Sequence, residues 1–216
     1  MVKTPWIIRR FFSNLTWKIP TEEKILYLTF DDGPHPTVTP FVLEQLDKYN
    51  AKASFFCVGK NVVAYPAVYS QVVNADHTIG NHTHHHLNGW KVKDEDYFND
   101  INEARKYIDS ALFRPPYGKI TTFQAKHLSR SPFGFEIVMW DVLSKDYNEK
   151  LSGEDCAFNV MRNAVQGSVI VFHDSEKAFP RMQKALISTL QFFSEKGWRF
   201  EAINLENKKQ DNIEVR

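Results

Sequence analysis

Cysteine is nearly absent from this chain, with Cys57 and Cys156 the two examples among 216 residues. They lie far apart and form no CxxC pair, which excludes a disulfide scaffold and a zinc ribbon and predicts two free, buried thiols. No apolar run approaches the ~20 residues of a membrane-spanning helix. The opening Met1-Val2-Lys3-Thr4-Pro5-Trp6-Ile7-Ile8 meets Arg9-Arg10 before a stretch of signal-peptide length develops. On that absence the chain reads as cytoplasmic, or as envelope-associated or extracytoplasmic if a leader was removed or export is unconventional. An excess of one charge is missing too: 27 basic side chains face 26 acidic ones, a net charge of +1. That balance leaves no electrostatic footprint for nucleic acid or for an anionic membrane. Internal repeats, low-complexity tracts and an interdomain linker are not visible, and the oligomeric state cannot be read.

What is present describes one globular domain. Hydrophobic residues make up 43% and aromatic residues 14% of the chain, and a domain of this size buries roughly 70% of its unfolded surface. Short β-branched or aromatic runs alternate with longer amphipathic stretches. Strands are predicted at 24–30, 53–58, 77–80, 112–114, 136–140, 168–172 and 199–204, and helices at 40–49, 66–75, 94–110, 121–129, 154–165 and 180–195. In the 94–110 stretch, Tyr97, Ile101, Ala104 and Ile108 recur at helical spacing. The alternation predicts an α/β fold, a single distorted (β/α) barrel with about seven parallel strands, and a doubly wound open sheet is the alternative. In both, function sits at the C-terminal ends of the strands. The expected organisation is an N-terminal arm over 1–23, a main domain over 24–205 and a polar tail over 206–216. Trp6, Phe11, Phe12 and Trp17 of the arm are expected to pack on the bottom or side of the barrel, with contact to a partner or a membrane as the alternative.

The ionisable residues gather just past the predicted strands. Thr29-Phe30-Asp31-Asp32-Gly33-Pro34 sets two adjacent carboxylates at a strand end. They repel when both ionise, so a nearby cation is the simple explanation, with one aspartate binding metal and the other acting as base. A plain surface turn is an equal reading. Next, Gly80-Asn81-His82-Thr83-His84-His85-His86, with His77, places five of the eight histidines within ten positions. His82 and His86 stand four apart and would share a face on one helical turn, able to grip one ion. Triples with His85 are also geometrically possible, and a polar loop of exposed histidines is the bland reading. Three weaker runs follow: Phe113-Arg114-Pro115-Pro116-Tyr117-Gly118, then Trp140-Asp141-Val142-Leu143-Ser144-Lys145-Asp146-Tyr147, then Val171-Phe172-His173-Asp174. Taken singly, Arg114 could be a salt-bridge partner, Asp141 and Asp146 loop solvating groups, and His173 a satisfied core histidine. A barrel mouth would bring them together.

These runs resemble the polysaccharide deacetylases of carbohydrate esterase family four, which include chitin, peptidoglycan, nodulation-factor and acetylxylan deacetylases. All five family motifs have a counterpart in family order, over 26–174: Thr-Phe-Asp-Asp-Gly-Pro, His82 to His86, Arg-Pro-Pro-Tyr-Gly, Asp146-Tyr147, and the apolar run ending at His173. The resemblance implies one divalent ion, zinc first and cobalt, nickel or iron as alternatives, held by Asp32, His82 and His86. It implies that Asp31 is the general base, held in place by Arg114, and that the main-chain amide of Tyr117 receives the oxyanion. His173 would be the general acid, with Asp146 close to it or to the Arg114 network. His84 and His85 would face solvent or substrate. The implied activity is removal of N-acetyl groups from N-acetylglucosamine-containing oligo- or polysaccharides, chitin-like or peptidoglycan-like. An O-acetyl esterase on xylan or another glycan is the enzymatic alternative, and a silent carbohydrate-binding relative is the other. The chain departs from the family at Tyr147, where tryptophan is usual, and at Leu143, a position often acidic. Val171 and Phe172 suit either a pocket for the acetyl methyl or core packing, and Trp90 and Tyr147 could stack on sugar rings.

Overall fold

The apolar run that follows Lys24 forms β1 (Ile25–Asp31), every residue of it buried. A strand hidden on both faces belongs in the middle of a parallel sheet, and β1 pairs in parallel with β2 (Ala53–Cys57) on one side and β7 (Val169–His173) on the other. The computed structural model describes residues 1–204, so the expected polar tail lies outside the described residues. Around this centre stand β3 (Thr78–Asn81), β4 (Leu112–Phe113), β5 (Glu136–Ile137), β6 (Val142–Leu143) and β8 (Arg199–Phe200). Seven strands follow the order β5-β4-β3-β2-β1-β7-β6, and β8 adds to the start of β1. Every pairing between these strands is parallel. The result is a distorted (β/α) barrel left open between β5 and β6.

The helices are α1 (Trp6–Phe11), α2 (Val38–Lys48), α3 (Gly59–Ala64), α4 (Pro66–Asn74), α5 (Asp94–Arg105), α6 (Thr122–Leu128), α7 (Gly153–Asn163) and α8 (Phe179–Ser194). The stripe on α5 behaves as its spacing predicts, Tyr97, Ile101 and Ala104 being fully buried. The core stacks Phe30 between Phe55 and Phe172, at ring separations of 5.0 and 5.9 Å. Cys57 and Cys156 are free and buried. No helix among the described residues is long and apolar enough to cross a membrane.

Three differences from the sequence reading bear on the site. The strand expected over 136–140 stops at Ile137, because the carbonyls of Val138 and Met139 accept from the Arg114 side chain instead of a neighbouring strand. The strand β6 was hidden in a polar segment too short to show alternation. The N-terminal arm stitches the open seam: Thr16 bridges Val138, Lys3 bridges Val142 and Lys18 bridges Ser168. Its aromatic residues do not follow the packing expectation. Trp6, Phe11 and Phe12 are 68%, 79% and 41% exposed, and only Trp17 packs against the core.

Candidate active site

At the end of β1 the chain turns sharply, with Asp32 in the left-handed region at φ 81°. A non-glycine residue holds such a conformation only where its surroundings fix it. Here the Asp174 carboxylate accepts from Gly33 N at 3.0 Å and from Thr39 Oγ1 at 2.5 Å, while Asn61 Nδ2 donates to Asp32 O at 2.7 Å. A Cβ at Gly33 would sit 2.1 Å from Asp174 Oδ2, so glycine is required there. Burial, with the Asp32 charge adding to it, pushes the Asp174 carboxyl up to about 8 against the pull of the Thr39 and Gly33 hydrogen bonds.

The histidines are not on a helical turn. After β3 they run through an irregular loop in which Thr83 and His86 take φ values of 64° and 58°. Asp100 of α5 pins that loop, accepting from His84 N at 2.8 Å, from His85 N at 3.0 Å and from His85 Nδ1 at 2.6 Å. His82 and His86 converge on Asp32, their Nε2 atoms 3.9 and 3.1 Å from its Oδ1. One ligand atom from each of the three residues lies within 4.8 Å of the others. The remaining ring nitrogens are engaged: His82 Nδ1–H donates to Arg114 O at 2.7 Å, and His86 Nδ1–H to Tyr117 Oη at 3.1 Å. That leaves Nε2 of both rings for a ligand, the arrangement metal-binding histidines need. Burial holds His82 down to about 4, so its imidazole is neutral as coordination requires. Burial opposes the charge on Asp32, and the surrounding histidines, His86 first and then His173 and His82, override it and hold its carboxyl below the usual carboxylate range. Two imidazoles and one carboxylate fit a single divalent ion.

Two ion pairs, one fully and one partly buried, flank this cluster. Arg114, with none of its surface exposed, donates Nη1 to Asp31 Oδ1 at 2.7 Å and to Thr29 Oγ1 at 2.7 Å, Nε to Val138 O and Nη2 to Met139 O. Its guanidinium lies 4.0 Å from the centre of the Phe56 ring. Asp31 is paired through Oδ1, so Oδ2 is the oxygen available to a proton. In the second pair, His173 Nδ1–H donates to Asp146 Oδ1 at 2.7 Å and His173 N donates to Asp146 Oδ2 at 2.8 Å. Burial works against charge on His173, but the Asp146 carboxylate, aided by Asp32 and Asp31, raises its imidazole to about 10.

A cavity of about 420 Å³ is lined by Asp31, Asp32, His82, His86, Tyr117 and His173, closed by Trp140, Leu143, Tyr147, Val171 and Lys177. The eight residues singled out from the sequence therefore meet at one mouth, with Arg114 and Asp146 behind its wall. Asp146 joins His173 and not the Arg114 network. Val171 lines the cavity whereas Phe172 is core. His85 is exposed, but His84 is partly covered, its ring tilted against Tyr107 at 5.8 Å, with a buried Nδ1 that has no partner among the described residues. Asp141 is not a solvating group: fully buried, it accepts from Arg9 and Ser168 and ties the arm to the seam. Asp174 and Asp100 were missed as supports. The signal for Asp100 was there, a carboxylate three residues after Tyr97 on the apolar stripe of α5.

The family follows from comparison as well as from geometry. The family model described as polysaccharide deacetylase matches residues 18–132, and the chain belongs to that family, carbohydrate esterase family four. It is 35% identical over 196 residues to a peptidoglycan-N-acetylglucosamine deacetylase of Bacillus cereus, covering 88% of this chain and 91% of that one. It is 34% identical to a chitooligosaccharide deacetylase of Azorhizobium caulinodans, covering 73% of this chain and 77% of the relative. A crystal structure of the Bc1960 peptidoglycan N-acetylglucosamine deacetylase superposes with a TM-score of 0.83 at 31% identity, covering 93% of this chain and 95% of that one.

Proposed function

We propose that this chain is a metal-dependent hydrolase that removes N-acetyl groups from N-acetylglucosamine residues of an oligo- or polysaccharide, releasing acetate. The observation that carries the reading is the presence, in one cavity, of a carboxylate base and a protonated imidazole beside a ligand set for one divalent ion. Peptidoglycan and chitooligosaccharide deacetylases among the relatives support the N-acetylglucosamine substrate.

Hydrolysis of an acetamide needs an activated water, a stabilised oxyanion and a proton for the leaving amine. Asp32, His82 and His86 would hold one divalent ion, zinc first, which would supply Lewis acidity for the attacking water and the acetyl carbonyl. Asp31 takes the proton of the attacking water through Oδ2, while Arg114 holds Oδ1 so that the carboxylate keeps one orientation. The N–H of Tyr117 donates to the oxyanion, a donor fixed in advance by the left-handed turn at φ 59°. His173, hydrogen-bonded to Asp146 through Nδ1, gives the proton on Nε2 to the departing nitrogen. Leu143 and Val171 offer apolar contact to the acetyl methyl, and Tyr147 a ring edge to the sugar.

The test is acetate release from N-acetylglucosamine oligomers and from O-acetylated xylan, using metal-stripped protein with zinc, cobalt or nickel restored in turn. Metal-dependent release from the N-acetyl substrates is the expected result. Release only from the xylan would replace this reading with an esterase, and none from either a silent relative. Asp31→Asn should lower turnover by about 10²–10⁴-fold while metal content stays at the wild-type level. Unchanged turnover would remove Asp31 from the mechanism.

A further inference from the structure

The chain as a whole is nearly neutral, yet its first 21 residues carry four basic side chains, Lys3, Arg9, Arg10 and Lys18, and no acidic one. Within that segment α1 is amphipathic in the wrong sense for a surface helix. Spaced at 100° per residue, Trp6, Arg10, Ile7 and Phe11 fall on one arc and Ile8 and Arg9 on the other. The first arc faces out: Trp6 is 68%, Ile7 50% and Phe11 79% exposed, and Arg10 is exposed with them, while Ile8 and Arg9 are partly covered. None of the helix is buried. Phe12, beside it, is 41% exposed and Met1 68%.

This outward face is held in place. Arg9 Nη1 donates to the buried Asp141 at 3.2 Å, Thr4 N donates to Asp141 O at 2.9 Å, Thr4 Oγ1 donates to Trp140 O at 2.8 Å, and Trp17 Nε1 donates to Phe12 O at 2.9 Å. The polar contacts are spent on fixing α1 to the seam, and the apolar side chains are turned away from it. Exposed apolar residues in such a cluster mark a contact surface. Its chemistry narrows the partner. A second copy would bring Arg10 towards Arg10 with no acid in the segment to pair with either. Indole, phenyl and isoleucine side chains around an arginine, on the exposed face of a short helix, suit the boundary between lipid headgroups and acyl chains. Lys3 and Arg9 are paired with the buried Asp141, so the charge this face presents is Arg10, with no acid in the segment beside it, and that makes the boundary an anionic one.

We infer that the outward face of α1, formed by Trp6, Ile7, Arg10 and Phe11, is a docking site for an anionic lipid bilayer, independent of the catalytic reading.

The experiment is co-sedimentation of the full chain with vesicles of mixed phosphatidylcholine and phosphatidylglycerol, against vesicles of phosphatidylcholine alone. Binding to the mixed vesicles that weakens with salt is expected, and absence of binding at low salt overturns the proposal. Trp6→Ala and Phe11→Ala should each lower partitioning by about ten-fold, and Arg10→Glu should abolish the preference for the anionic vesicles. Variants that bind as the wild type overturn the assignment, as does a dimer in solution that Trp6→Ala disperses. These side chains are exposed, so melting temperature is expected to hold in all three variants and shows that lost binding is not lost folding. Tryptophan and phenylalanine restored together at positions 6 and 11 in the order Trp6→Phe and Phe11→Trp should recover the binding, which a damaged fold would not.

Discussion

The two halves of the barrel place their reacting groups by different means. In one half the strands are long: β1 has seven residues, β2 and β7 five each, β3 four. Asp31 and His173 are register partners on β1 and β7, so the backbone ladder itself sets the proposed base beside the proposed acid. In the other half β4, β5 and β6 have two residues each. Arg114, Tyr117 and Asp146 all lie beyond the ends of those strands and are fixed by side-chain hydrogen bonds: four from Arg114, one from His86 to Tyr117, and Arg181 to the Asp146 carbonyl. Buried polar groups can substitute for a ladder when every member is satisfied. A half built that way should lose more to one polar deletion than the laddered half loses to one apolar deletion.

The largest expected effect tests that difference directly. Arg114→Met leaves Asp31 buried without its cation, and should cost about 3–5 kcal/mol in urea unfolding. Ile170→Val, in the buried laddered strand β7, should cost about 0.5–1.5 kcal/mol. Similar losses from the two would abolish the distinction. The second effect is a pH shift on the pair that joins the halves. His173 is raised to about 10 by Asp146 after burial is overcome, and it must be protonated to act as the acid, so activity should fall as pH rises through its pKa. In Asp146→Asn that limb should move down towards the ordinary imidazole range, and NMR titration of His173 in metal-free protein should move with it. The same shift carries stability: the pair's contribution is present below about pH 6.5, the unfolded histidine value, and is lost as pH climbs to about 10. A titration unmoved by Asp146→Asn would assign the raised value to another group.

The same division decided what could be read from the sequence. The laddered half announced itself, because β1, β2 and β7 are continuous β-branched and aromatic runs whose ends carry the aspartates and His173. The convergence of Asp32, His82 and His86 was legible through resemblance, although the spacing of His82 and His86 suggested a helical turn where the chain makes an irregular loop. What stayed hidden was the short-stranded half. Two-residue strands show no period, so β6 went unseen, and nothing local in the 136–140 run reveals that the carbonyls of Val138 and Met139 serve an arginine over twenty positions away. Asp100 and Asp174 escaped for a related reason: their role is to accept from main-chain N–H groups of other segments, a contact that composition does not encode. The exposed face of α1 ran against the rule that apolar residues find the core.

The smallest expected effect probes the one side chain that reaches across from the short-stranded half to the ligand set. Tyr117 meets His86 edge to face with ring centres 4.6 Å apart, and its hydroxyl accepts from Nδ1. Tyr117→Phe keeps the ring and the main-chain N–H but removes the acceptor, so His86 loses the bond that fixes its tautomer. Partners of that kind are worth about 10–100-fold in metal affinity. The hydroxyl belongs to a side chain 62% exposed, where water can replace it, so the lower end is expected: zinc affinity measured by chelator competition falls about ten-fold, and turnover at saturating zinc is preserved. If turnover at saturation fell instead with affinity unchanged, the hydroxyl would be contributing to the reaction and not to the ligand, and the short-stranded half would hold a second group in the chemistry besides the Tyr117 amide.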